Sequence, residues 1–186
     1  MKRLLLPLLA AIALPTAVNA EQNIFYSKKE DLMTDVIKVN IDLLSETTVL
    51  NSIGAQAKAR IGIRCKGSEL NTYIQTPTYN ANNLQVQLRF DKNQPKKESW
   101  TGSVDGTSFF PEKNNQKDHR SFIRNIRNHD SLVFGWSPYS TGAKAVKFDL
   151  TQINPKIDQA IIDGCIFEEY NFYSIEEVPK YKSIFE

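Results

Sequence analysis

Along most of the chain, apolar and polar residues alternate with a period of two. Val36, Lys38, Asn40 and Asp42 interleave with Ile37, Val39, Ile41 and Leu43. Leu84, Val86, Leu88 and Phe90 interleave with Gln85, Gln87, Arg89 and Asp91, and Val146, Phe148 and Leu150 with Lys147 and Asp149. Such alternation marks half-buried antiparallel strands. The runs from Asn71 to Thr76 and from Ser131 to Trp136 read as strands because they are rich in β-branched and aromatic residues. Ile61-Gly62-Ile63-Arg64 is a further strand-like run. Turn signals separate these segments: Lys66-Gly67-Ser68, Asn80 to Asn83, Lys92-Asn93-Gln94-Pro95, Asp105-Gly106 and Ser140-Thr141-Gly142.

In two places the period changes to that of a helix. Asp118 to Asn128 predicts a short helix with Asp118 as its cap and Phe122, Ile123 and Ile126 on one stripe. Asn154-Pro155 predicts the start of a second, with Ile157, Ala160 and Ile161 facing inward and Gly164 ending it. About eight strands and two short helices make a mainly β chain, an antiparallel β-sandwich with helical decorations.

The N-terminus changes the picture of where such a domain works. Met1-Lys2-Arg3 is a basic start, Leu4 to Val18 an apolar run, and Val18-Asn19-Ala20 a small-residue cleavage site. The apolar run is 15 residues long and holds Pro7 and Pro15, whereas spanning a bilayer takes about 20. Residues 1–20 therefore read as a cleaved signal peptide. Residues 21–167 form the domain and residues 168–186 a C-terminal tail. No later stretch is long and apolar enough to predict a membrane span, so the expected location is periplasmic or secreted. The signal carries two of the 23 basic residues, which leaves 21 against 21 acidic ones. A mature chain without net charge argues against a nucleic-acid partner, whose binders show a basic face.

Export also gives the two cysteines a meaning. In an oxidising compartment Cys65 and Cys165 are most simply one disulfide, and no C-x-x-C or neighbouring histidine suggests a metal ligand or reactive thiol instead.

Signals for catalysis are sparse. His119 and His129 fall on different faces of a helical register and read as solvated loop and cap residues, so no metal site is expected. Neither G-x-S-x-G nor S-x-x-K is present. The paired carboxylates, Glu168-Glu169 and Glu176-Glu177, read as solvated, and Gly102, Gly106 and Gly142 lie in isolated turns. Arg120, Arg124 and Arg127 form a basic stripe that reads as a solvated helix face. A more deliberate grouping is Arg89 and Asp91, followed through a turn by Trp100, Ser103 and Asp105. Leu88 and Phe90 claim the inner face of their strand, so Arg89 and Asp91 should point outward. A tryptophan with polar neighbours makes a shallow recognition surface or the core of a sandwich, and the residues alone leave both open.

Taken in order, these elements resemble the VasI/TagO family of periplasmic accessory proteins of type VI secretion. The resemblance rests on Arg64-Cys65, Arg89-Phe90-Asp91, Trp100-Thr101-Gly102-Ser103-Val104-Asp105, Phe109-Phe110-Pro111, Leu132-Val133-Phe134 with Pro138, Val146 to Leu150, and Cys165. It covers the run from about Phe25 to Phe167. It implies a disulfide-linked, mostly β domain that is no enzyme, holds no cofactor, and assists assembly at the cell envelope by binding a protein or a cell-wall component. Two residues past the second cysteine the family has an aromatic, often tryptophan, and ends soon after. Here Phe167 holds that place and residues 168–186 follow. The other expectation is a secreted hydrolase with an active site around Trp100, Ser103 and Asp105.

Overall fold

The computed structural model describes residues 23–80, 84–139 and 141–165. The signal at residues 1–20, Phe167 and the tail at residues 168–186 lie outside the described residues.

Two antiparallel sheets face each other. The six-stranded sheet has the order β1 (Ile24–Asp31), β2 (Val36–Leu50), β3 (Gln56–Lys66), β4 (Glu69–Gln75), β8 (Ser108–Phe110) and β7 (Thr101–Gly102). The four-stranded sheet runs β10 (Lys144–Asp149), β9 (Ser131–Trp136), β5 (Gln85–Phe90) and β6 (Lys96–Ser99). The mainly β sandwich expected from the alternation is present, with two helices, α1 (Gln116–Arg127) and α2 (Asn154–Ile162).

The alternation assigns the faces. Val39, Ile41 and Leu43 of β2 turn inward with Ile61 and Ile63 of β3, and meet Val86, Leu88, Leu132, Phe134, Val146 and Phe148 from the other sheet. Phe134 is the hinge of this core: its ring lies 5.6 Å from Phe109, 5.7 Å from Trp100 and 5.8 Å from Trp136. At 2 % exposure Trp100 is a core residue. A break in register between Leu44 and Thr48 bends β2. The buried Ser45 hydroxyl closes that bulge by donating to the Thr47 carbonyl and accepting from the Ala59 N–H. The bend brings Thr47 to the other sheet, where its hydroxyl accepts from the Lys147 N–H at 2.9 Å.

Both helices start earlier or cap differently than their sequence signals suggest. Asn115, not Asp118, caps α1 by accepting from the Asp118 N–H at 3.0 Å, and the Asp118 carboxylate reaches back to the Lys113 N–H. Ile153 caps α2 without a side-chain bond, while the Asn154 amide donates to the Arg127 carbonyl and joins the two helices. Arg127 adds an ion pair to Asp158 at 2.8 Å. Ile157 and Ala160 are buried as expected, but Ile161 is exposed. Gly164 closes α2, and Cys165 turns back to the sheet and bridges Cys65 with their Cα atoms 5.9 Å apart. No helix of the described residues is long and apolar enough to cross a membrane.

Candidate functional site

The five residues singled out in the sequence do not converge. Arg89 is exposed on the outer face of β5. The strand ends at Phe90, so alternation no longer governs Asp91, which sits in a left-handed conformation with φ 50. Its carboxylate accepts from the N–H groups of Asp130 at 3.0 Å and Ser131 at 2.8 Å, and thereby anchors the start of β9. Trp100 points into the core and donates its indole N–H to Glu98 at 2.8 Å. It forms no surface with Ser103.

Ser103 and Asp105 shape the turn between β7 and β8. The Ser103 hydroxyl donates to Asp105 and accepts from the Ser108 N–H, and Asp105 also accepts from the Thr107 N–H and hydroxyl. These bonds, that from Ser103 first, hold the Asp105 carboxyl below the usual carboxylate range. A carboxylate so stabilised is a weak base for activating a hydroxyl. Both histidines are engaged elsewhere. His119 is buried at 2 % exposure, with Nδ1 accepting from the Thr72 N–H at 3.1 Å and lying 3.0 Å from the Thr72 hydroxyl. This corrects its reading as a solvated residue: the helix begins before it and lays it against β4. His129 is half-buried and packs on the Phe90 ring at 4.8 Å. No group of three or more potential metal ligands occurs among the described residues.

A different constellation gathers at the end of the sandwich where β2, β4, β7 and β9 finish and β10 begins. Tyr79 is 53 % exposed and Tyr139 67 %, with ring centroids 6.4 Å apart and nearly perpendicular planes. Their backbones are joined, the Tyr139 N–H donating to the Tyr79 carbonyl at 3.1 Å. Leu50 and the buried Pro138 complete an open groove of about 220 Å³, with Asn51, Thr78 and Lys144 on its walls. Ile53 and Val104 are exposed on the turns that follow β2 and β7.

What fixes this end is a buried polar network beneath Tyr79. Thr76, Thr78 and Asn80 are all buried, alternating with the half-buried Pro77 and the exposed Tyr79. The Asn80 amide donates to the Thr76 hydroxyl at 2.8 Å and to the Gly106 carbonyl at 3.0 Å. The Thr78 hydroxyl donates to the Asn80 side-chain carbonyl at 3.1 Å and accepts from the Trp136 indole at 2.9 Å. Gly106 is required where it stands: φ is +67, and a Cβ there would lie 2.5 Å from the Tyr79 ring. The Ser103–Asp105 turn thus sits beside the aromatic groove as its support. Sequence reading missed Tyr79 and Tyr139 because they are far apart in the chain and share no motif. The only local signal was Asn80, read as a turn residue.

Searched against family models, curated proteins and solved structures, the chain matches none.

Proposed function

We propose that this chain is an exported, non-enzymatic binding or assembly module of the cell envelope, using the Tyr79–Tyr139 end of the sandwich to engage an envelope protein or a cell-wall component. The observation that carries the reading is the buried Thr76–Thr78–Asn80 network under an exposed tyrosine pair. Burying polar groups costs free energy unless each is bonded, and a bonded network favours one conformation of the segment from Thr76 to Asn80. A segment so held presents Tyr79 with a smaller ordering penalty on binding. Tyrosines suit this role because they offer large, amphipathic contact area with few rotatable bonds. The resemblance to VasI/TagO accessory proteins supports the same class of work, assembly of a secretion machine, and the bridge between Cys65 and Cys165 suits an oxidising compartment.

The test is retention of the exported protein on envelope fractions. Tyr79→Ser with Tyr139→Ser should abolish retention while the melting temperature moves little, since both rings are exposed. Arg89→Ala, on the outer face of β5, should leave retention intact. Turnover of peptidoglycan or an ester that Ser103→Ala abolishes would contradict a non-enzymatic role.

A further inference from the structure

The outer face of the six-stranded sheet carries a second constellation, independent of the tyrosine end. On β3, Arg60, Gly62, Arg64 and Lys66 alternate with the inward Ile61, Ile63 and Cys65. Tyr73 of β4 also faces outward, yet it is only 4 % exposed. Its ring lies across Gly62, where a Cβ would come within 2.2 Å of it. The guanidinium of Arg64 sits over that ring, 4.7 Å from the centroid. Arg60, 5.9 Å from the same ring, is engaged by Asp42 at 3.5 Å and by Gln75. Arg64 has no carboxylate within ion-pairing distance among the described residues. It is an exposed guanidinium held in place by an aromatic face, the arrangement in which arginine loses least freedom on binding an anion.

Beside it runs a row of like charges. Lys29 of β1 stands directly opposite Lys38 of β2, and Lys38 directly opposite Lys66 of β3. Adjacent strands lie about 4.8 Å apart, and like charges directly opposed are destabilising. Asp31 relieves Lys38 at 2.8 Å, and Glu69 is the cross-strand neighbour of Lys66. Four cations, Lys29, Lys38, Arg64 and Lys66, therefore meet two carboxylates. Lys38, Asn40, Arg64, Lys66, Asn71 and Gln116 line an open depression of about 460 Å³, with Glu69 also on its wall. Gln116 is the first residue of α1 and is clamped to β4 through both backbone groups of Leu70. The positive end of that helix dipole therefore lies at the rim.

We propose that this depression is an anion site centred on Arg64 that takes a phosphate-bearing ligand. A carboxylate, planar and singly charged, would be satisfied by the Arg64 fork alone. The side chains lining the depression come from three strands and the first turn of a helix, and carry excess positive charge. That geometry matches a tetrahedral group with three free oxygens and a charge near −2.

Calorimetric titration of the exported protein with pyrophosphate, and pelleting with phosphatidylglycerol vesicles against phosphatidylcholine vesicles, test the site. Pyrophosphate should bind and raise the melting temperature. Arg64→Gln should weaken it at least tenfold, while Lys97→Gln, on the other sheet, should not. Arg64→Lys, which keeps the charge but loses the planar stack, should fall between and carries the test if Arg64→Gln fails to fold. Selective pelleting with phosphatidylglycerol that Arg64→Gln removes would identify a lipid headgroup as the source of the phosphate. Pyrophosphate binding without pelleting would identify a free phosphate compound. Binding of neither probe, or binding that survives both Arg64 variants unchanged, overturns the proposal.

Discussion

Breaking the bridge between Cys65 and Cys165 should cost more stability than any single side-chain truncation on the surface. The two cysteines are 100 positions apart, so the link ties β3 to the residue just past α2 and closes most of the described chain into one loop. In the chain-entropy model, closing a loop of that length removes about 16 cal/mol/K from the unfolded ensemble, or about 4.7 kcal/mol at room temperature. Domains have about 5–15 kcal/mol in total, so reduction should take away a third or more. For a chain of this size that corresponds to a fall in melting temperature of roughly 10–20 °C. Urea unfolding followed by tryptophan fluorescence is a suitable assay, because Trp100 and Trp136 are both buried and both report the core. Wild type should be compared with and without reductant, beside Cys65→Ser with Cys165→Ser. The reduced and double-substituted proteins should coincide. A loss below about 1 kcal/mol in both would refute the loop-closure argument. Two alkylatable thiols in the folded protein, taken from cells without reductant, would refute the bridge itself.

Three further outcomes follow from local geometry. Asn80→Ala takes the acceptor from the buried Thr78 hydroxyl and the amide donor from the Thr76 hydroxyl, so it should cost about 1–3 kcal/mol in urea unfolding and reduce envelope retention as well; unchanged retention would separate the network from binding. Burial pushes the His119 imidazole below its ordinary pKa against the pull of Asp118. The unfolded imidazole takes up a proton near pH 6.5, so stability present above that pH should be lost as pH falls toward the lower folded value. His119→Asn, which keeps an acceptor for the Thr72 N–H, should flatten that slope in a pH series of urea midpoints, and an unchanged slope would assign it to other groups. Asp91→Ala should cost about 1 kcal/mol by freeing the Asp130 and Ser131 N–H groups, whereas Arg89→Ala should stay within about 0.5 kcal/mol; the reverse order would show that Arg89 is the structural member.

The strands were legible wherever one face meets the core and the other meets water. Val39, Ile41 and Leu43, or Val146 and Phe148, show their inward face in sequence because burial is what enforces the alternation. The short pairings were not legible. Thr101–Gly102 and Ser108–Phe110 are strands only because they pair with each other and with Ile74 and Gln75. β1 was missed for a related reason: as the edge strand it buries Ile24 but exposes Ser27, Lys28 and Lys29, so its pattern is weak. The bridge was readable from the signal-like N-terminus and the cysteine count, without any knowledge of geometry. Grouping Trp100 with Ser103 and Asp105 failed because spacing along a chain does not say on which side of a sheet a residue falls. Trp100 faces the core and the other two shape a turn. Tyr79 and Tyr139 lie in the segments that follow β4 and β9 and meet through the Tyr139 N–H bonded to the Tyr79 carbonyl, a long-range contact that no local pattern encodes.

The central claim is that the tyrosine end is the surface that touches the partner, and site-specific photo-crosslinking in the intact envelope tests it most directly. A photoreactive residue replaces Tyr79, Val104 or, as the control on the outer face of β5, Arg89. The geometry predicts adducts to one envelope protein or to cell-wall material from positions 79 and 104, and none from position 89. Adducts from position 89 alone, or none from either tip while the protein stays bound to the envelope, would contradict it.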